Sequence, residues 1–139
     1  MLKKTYDFTV INNDEEVNVS LRLSVNGEMK LKEKYKKSTT EIITDAVNDI
    51  EVMCDLLTQC LNYKDNTNTI KKGSELYEIM VDNDMGGMRN WQKITTEIAY
   101  ISGKYDAEER DAIINQVNIG VQKLLDGDIT ELEKNLQNP

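Results

Sequence analysis

The sequence contains no histidine, and its single proline, Pro139, is the last residue. The absence of imidazole removes the side chain that most often serves as a general base or metal ligand near neutral pH. No apolar run approaches the roughly 20 residues of a membrane-spanning helix, and no apolar signal segment follows Lys3 and Lys4. These absences predict a cytoplasmic, non-enzymatic protein that uses no cofactor or metal and does not enter a membrane.

Cysteine and glycine are also sparse, and neither forms a chemical motif. Cys54 and Cys60 stand six residues apart in a helical pattern, so their side chains diverge and we predict buried free thiols. Gly86-Gly87 lacks the flanking residues of a phosphate-binding loop. The residues that follow Asp82-Asn83-Asp84 do not supply the oxygen ligands of a calcium loop.

The charge that is present is unevenly distributed. Residues 1–37 contain eight basic and six acidic side chains, net +2, whereas residues 38–139 contain nine basic and 19 acidic side chains, net −10. An acidic body disfavours nucleic-acid binding, which requires clustered cations. It leaves open an alternative hypothesis, namely an acidic mimic of nucleic acid that inhibits a host nuclease or defence protein.

Two alternating segments near the N-terminus predict a β-hairpin. Residues 4–11 place Tyr6, Phe8 and Val10 on one side, and a polar turn follows at residues 12–15. Residues 16–25 alternate strictly, and the apolar positions are Val17, Val19, Leu21, Leu23 and Val25. The edges of such a hairpin could pair with another protomer, so a homo-oligomer is possible.

The rest of the chain predicts about five helices. The first, over residues 28–37 with Asn26 as its cap, is rich in lysine, and Lys30 and Lys34 are either solvated or dock an acidic partner. A single helix then runs to Leu61. Its main apolar stripe is Ile43, Val47, Ile50, Cys54, Leu57 and Leu61, with a second row at Ile42, Ala46, Met53, Leu56 and Cys60. This wide face predicts a central core helix, part of which, at Leu57 and Leu61, is a candidate partner surface.

Three further helices follow a polar loop at residues 62–72. Ser74 is the predicted cap of the first, Gly103 the predicted end of the second, and Asp106 the predicted cap of the third. The third has the apolar stripe Ile113, Val117, Val121 and Leu124, and a last short turn is predicted over residues 129–136. Near Gly86-Gly87 lie four candidate residues for either a core plug or an adaptable docking site: Met80, Met85, Met88 and Trp91.

These patterns predict an α+β, mostly α fold, with an N-terminal β-hairpin followed by a bundle of about five helices. A chain of this length and composition is expected to form one domain over residues 1–139. Within it, the hairpin occupies residues 1–27, a helical core residues 28–103, and a C-terminal helical extension residues 104–139.

Several of these segments resemble the tail assembly chaperones of phages and prophages of Gram-positive bacteria. The similarity lies in the strand over residues 17–24 followed by Asn26-Gly27 and a lysine-rich helix, in the helix end over residues 56–61, and in the stretch from Glu75 to Asp82. It covers about residues 5–103. The resemblance implies a non-catalytic protein that binds the tape-measure protein and recruits tail-tube subunits in the cytoplasm of the infected host. It also implies absence from the mature virion. A structural tail or head-completion protein is a further alternative.

Overall fold

The structure is a computed structural model that describes residues 4–120 and 126. Strands β1 (Tyr6–Asn12) and β2 (Glu15–Leu21) come first. They are followed by α1 (Val25–Tyr35), α2 (Thr39–Ala46), α3 (Ile50–Leu61), α4 (Gly73–Asp82) and α5 (Met88–Ile101). A sixth helix, α6, has residues 107–120 as its described part. The predicted α+β, mostly α class is confirmed, whereas Val121, Leu124 and residues 129–136 lie outside the described residues.

The hairpin has the predicted inner face. β1 and β2 are antiparallel, and their register pairs Tyr6 with Leu21 and Val10 with Val17. Asn13 and Asp14 form the two-residue turn with φ values of 53° and 64°, which is the type I′ geometry that matches strand twist. β2 ends earlier than predicted, because Ser24 already begins to cap α1. Val25 therefore belongs to α1, where 71% of it is exposed.

Two predicted helix caps are wrong, because neighbouring hydroxyl groups satisfy the first amides of α1 and α4. The Ser24 hydroxyl accepts a hydrogen bond from the Gly27 N–H at 3.1 Å, so α1 begins before Asn26. Lys72 occupies the cap position of α4 without a side-chain bond. There the Gly73 N–H donates to the Thr58 hydroxyl at 2.8 Å, and Ser74 lies inside the helix.

The predicted long helix to Leu61 is wrong, because the structure divides it into α2 and α3. Asp49 is extended, with φ −135° and ψ 110°, and its side chain accepts from the Glu51 and Val52 N–H groups. This cap starts a new helix and changes which residues face inward. Ile50, from the predicted main stripe, is 64% exposed, whereas every residue of the second row is buried: Ile42, Ala46, Met53, Leu56 and Cys60.

α3 is the central helix of the core, as predicted. It packs against β2, α1, α2 and α4, and Leu56, Leu57 and Leu61 have no exposed surface. α5 packs against α2 and β1 on another side. Two fully or nearly buried residues, Met80 and Trp91, join the same apolar cluster, so the hairpin and the helices up to α5 share one core.

α5 ends and α6 begins through two capping motifs that the sequence signals correctly. Gly103 has φ +82°, the left-handed conformation in which glycine has no steric penalty. The Lys104 N–H donates to the Ala99 carbonyl at 2.8 Å, which completes a Schellman motif. Asp106 and Glu109 then form a reciprocal capping box, with bonds of 2.8 and 3.1 Å.

Candidate functional site

Four of the eight candidate partner-binding residues lie in the core. Leu57, Leu61 and Met80 have no exposed surface, and Trp91 is 3% exposed. The Trp91 ring stacks on Tyr77 with centroids 4.7 Å apart, and its indole N–H donates to the Gly86 carbonyl at 2.9 Å. A partner cannot reach these side chains in the folded protein, so we remove the four from the candidate surface.

The two candidate lysines of α1 differ in their surroundings. The Lys34 Nζ lies 2.6 Å from Asp55 Oδ2 and 3.2 Å from Glu51 Oε1 on α3. Hydrogen bonds to the Asp55 and Glu51 carboxylates raise the Lys34 pKa. The Tyr35 pKa is raised to about 12, mainly because the side chain is buried and also because its hydroxyl donates a hydrogen bond to Asp55. Lys34 therefore joins α1 to α3. Lys30 is exposed and is not paired with an acidic group in the described part of the chain.

Met85 and Met88 remain near the surface. Met85 is half-buried against the core, and Met88, the first residue of α5, is 61% exposed. Met88 lines a cavity of about 500 Å³ between α5 and α6. A second cavity of about 250 Å³ continues from it toward α2, and both are lined by Gln92, Ile113 and Val117. Together they form one groove, which we call the α2–α5–α6 groove.

The apolar lining of the groove comes from three helices and the turn before α6. α2 and its C-terminal end supply two residues, α5 one, the turn one and α6 three; these are Ile43, Val47, Met88, Tyr105, Ala112, Ile113 and Val117. From Ala112 to Gly120, the α6 limits of the larger cavity, the helix advances about 12 Å. The groove is therefore long enough to hold about two turns of a partner helix.

Arg110, in the first turn of α6, ties this helix to α5. The Arg110 guanidinium lies 4.3 Å from the centroid of the Tyr100 ring and 3.8 Å from Glu97 Oε2. Farther along, Ile113 and Val117 are only half-buried, and Ile119 is 40% exposed. The predicted apolar stripe of this helix is thus present, but its described part is incompletely covered.

Among residues 4–120, no charged side chain lines the groove, although 30% of the residues in the chain are charged. Its polar lining consists of neutral amides and hydroxyls: Thr44, Asn48, Gln92, Thr95, Thr96 and Gln116. The Thr95 and Thr96 hydroxyls already donate to the Gln92 carbonyl at 3.0 and 2.7 Å. The groove therefore suits an apolar occupant whose flanks are uncharged, and it presents no fixed charge to a substrate.

The nucleophilic side chains lie away from the groove. Burial raises the pKa of the Cys60 thiol. The pKa of the Cys54 thiol is raised mainly by burial and also by the negative charge of Asp55. Both groups are therefore held as thiols, which are poor nucleophiles. Within residues 4–120 and 126, no cluster of three or more histidine, cysteine, aspartate or glutamate residues is arranged to hold a metal ion.

Sequence reasoning named Met88, Ile113 and Val117 but missed the groove that they share. Gln92, Thr95 and Thr96 carry no functional signal in the sequence, and they become groove residues only because α6 folds back along α5. In the part of the chain that the structure describes, none of the helices has both the length and the apolar character needed to cross a bilayer. Comparisons with protein-family models, curated proteins and solved structures gave no match.

Proposed function

We propose that this chain is a non-catalytic assembly chaperone whose α2–α5–α6 groove binds an amphipathic helical segment of a client protein. The observation that carries the proposal is a groove whose described lining is uncharged and largely apolar, on a chain that is otherwise rich in charge. Grooves of this kind bind the apolar face of a helix through residues at i, i+3, i+4 and i+7. The abundant surface charge keeps the complex in solution.

The resemblance to tail assembly chaperones suggests which client to test. In this proposal the client is the tape-measure protein of the same phage, and the complex recruits tail-tube subunits in the host cytoplasm. The chaperone is absent from the mature virion. Tape-measure proteins are expected to present long amphipathic helices, which match the groove in shape and chemistry. A chaperone without nucleotide chemistry acts by binding one state of its client more tightly than another.

The size of the groove favours reversible binding. Two client turns would bury two or three apolar side chains, which contributes roughly 4–8 kcal/mol before the costs of association. Such a contact is too small for a permanent complex. It is adequate if many copies of the chaperone each bind one helical segment of a long client. Release during tube assembly would then require no energy source.

Two methionines provide a matched test. Met88 lines the groove and is 61% exposed, whereas Met29 on α1 is 63% exposed and lies outside the groove. We expect Met88→Asp to weaken client binding about tenfold or more, because it places a charge in an uncharged apolar site. Met29→Asp should bind as wild type does, and neither variant should lose helical structure.

The assay is co-expression of each variant with the tape-measure protein, followed by isothermal titration calorimetry with a purified client helix. The proposal requires that the client becomes soluble with wild type and with Met29→Asp but not with Met88→Asp. Equal behaviour of the two variants would assign binding to another surface. A client that stays insoluble with the wild-type chain, or that never co-purifies with it, would refute the chaperone proposal.

Ion pairs favour this proposal over a nucleic-acid mimic. A mimic requires an uninterrupted row of carboxylates spaced like the phosphates of a duplex. On the described surface, however, basic groups neutralise several carboxylates. Lys37 pairs with Asp45 at 2.8 Å, and Arg110 with Asp111 at 3.0 Å.

The structural tail or head-completion alternative is tested by mass spectrometry of purified virions, in which a chaperone should be absent.

A further inference from the structure

The two-stranded hairpin has two outer edges, and its turn determines which backbone groups lie along them. Asn12 and Glu15 flank the two-residue turn and face each other, so they exchange both backbone hydrogen bonds, and every second pair does the same. The intervening residues direct their N–H and C=O groups outward. Within the strands these residues are Asp7, Thr9 and Ile11 on β1 and Glu16, Asn18 and Ser20 on β2.

An asparagine side chain covers the outward groups at one end of the β1 edge. The Asn83 Oδ1 accepts the Ile11 N–H at 2.7 Å, and the Asn83 Nδ2 donates to the Ile11 carbonyl at 2.9 Å. The same Nδ2 donates to the Ile79 carbonyl at 2.6 Å, at the end of α4. One carboxamide thus makes the pair of bonds that a residue of a neighbouring strand would make.

A second asparagine does the same on the β2 edge. The Asn68 Oδ1 accepts the Ser20 N–H at 2.8 Å, and its Nδ2 donates to the Ser20 carbonyl at 2.7 Å and to the Leu61 carbonyl at 2.9 Å. Asn68 is only 5% exposed. Beyond it, the Arg22 N–H donates to the Cys60 carbonyl at 3.0 Å, so this end of the edge is closed as well.

We propose that Asn68 and Asn83 are edge caps that keep the hairpin from adding a strand of a second copy of this chain. Capping the end of α4 requires only the bond from Asn83 to Ile79, yet two further bonds go to Ile11 on the distant hairpin. Exposed strand edges promote strand addition and aggregation, and folded proteins close them by several devices. Here the device is a carboxamide, which covers the outward groups of Ile11 on β1 and of Ser20 on β2.

The variant Asn83→Ala tests the cap on β1, with Asn90→Ala as its control. The Asn90 Nδ2 also donates to a backbone carbonyl, but this carbonyl is that of Met85, at 2.7 Å, and does not belong to the hairpin. In sedimentation velocity over a range of concentrations, Asn83→Ala should move toward about twice the wild-type mass, the result of two β1 edges pairing around a twofold axis. Asn90→Ala should sediment as wild type does.

A third variant assigns the association to the edge itself. The Thr9 N–H faces outward, so Thr9→Pro removes a donor that a second copy would need and leaves the backbone hydrogen bonds between the two strands in place. It also removes the bond that the Thr9 hydroxyl donates to Asn18 Oδ1 at 3.0 Å. Combined with Asn83→Ala, it should restore the wild-type mass. The proposal is overturned if Asn83→Ala keeps the wild-type mass at all concentrations, or if Thr9→Pro fails to reverse its association.

Hydrogen exchange of the wild-type chain provides a readout that does not depend on whether the variants fold. The capped amides of Ile11 and Ser20 should exchange about tenfold or more slowly than the uncapped outward amides of Thr9 and Asn18. Equal exchange rates for the two pairs would show that the asparagines do not close the edges, and the proposal would fall. Neither experiment depends on the client groove.

Discussion

Gly73→Ala should be among the most damaging single-methyl changes in this protein. Gly73 is the first residue of α4 and lies directly against α3. A Cβ atom at this position would stand 1.9 Å from the Cys54 carbonyl oxygen and 2.7 Å from both the backbone nitrogen and the hydroxyl of Thr58. The first two of these are backbone atoms of a buried helix, so no side-chain rotation relieves the clash.

The distance by which α4 must move away from α3 determines how much stability is lost. Ordinary contacts begin near 3.4 Å, so α4 would have to recede from α3 by roughly 1.5 Å, and a gap of 0.5–1 Å already forfeits a quarter to a half of the dispersion attraction. Overpacking typically costs about 1–3 kcal/mol. Since this shift also separates the buried Leu76 and Met80 from α3, we expect a loss of about 3 kcal/mol or more and a Tm lower by about 10 °C.

The assay is urea unfolding followed by circular dichroism, with Gly87→Ala as the matched control. Gly87 has φ −73° and ψ 152°, and a Cβ there meets no atom within 4 Å. As a cap position, it should lose less than about 1 kcal/mol. A Gly73→Ala protein whose free energy of unfolding lies within that same margin of wild type would refute the close-contact argument.

Three further predictions concern charge, backbone conformation and thiol reactivity. Burial tends to raise the Glu28 pKa, but hydrogen bonds from Lys104 and Thr39 outweigh burial and lower it. The contribution of Glu28 to the free energy of unfolding is therefore present above the unfolded pKa and is lost as pH falls through the folded pKa. Glu28→Gln should therefore cost about 1–2 kcal/mol at pH 7 and progressively less as pH falls through the folded pKa in urea unfolding; a pH-independent difference would contradict this. Lys36 ends α1 with φ 53°, so Lys36→Gly should raise the free energy of unfolding by about 0.5–1 kcal/mol, whereas a glycine inside α1 should lower it. Ellman's reagent should label half-buried Cys54 well before buried Cys60 in the native protein and both equally in denaturant; equal native rates would exclude the described burial.

Much of the fold follows from local patterns in the sequence. The hairpin is predictable because apolar residues alternate on both sides of a polar turn, and α5 is predictable because Trp91, Ile94, Ile98 and Ile101 recur at helical spacing before Gly103. The break between α2 and α3 is not, since the apolar spacing continues across it and no glycine or proline marks it. Only the capping side chain of Asp49 signals the new helix.

The candidate site is less predictable, because it depends on how the helices are arranged. Leu57 and Leu61 lie on an apolar face that is wide enough for both core and partner, and only the packing of α3 shows that core residues occupy it. Ile113 and Val117 form a recognisable stripe, but the sequence does not indicate that α6 stands partly away from α5. The groove is a property of that separation.

The bonds between Asn83 and Ile11 join positions 72 residues apart in the chain. The ribosome adds about 5–20 residues per second, so Asn83 is made roughly 4–14 s after the strand that it covers. During that interval the newly made hairpin is exposed to neighbouring nascent chains on the same polysome. Slow translation between the two positions would therefore promote misassembly of this protein even though Asn83 caps Ile11 in the finished molecule.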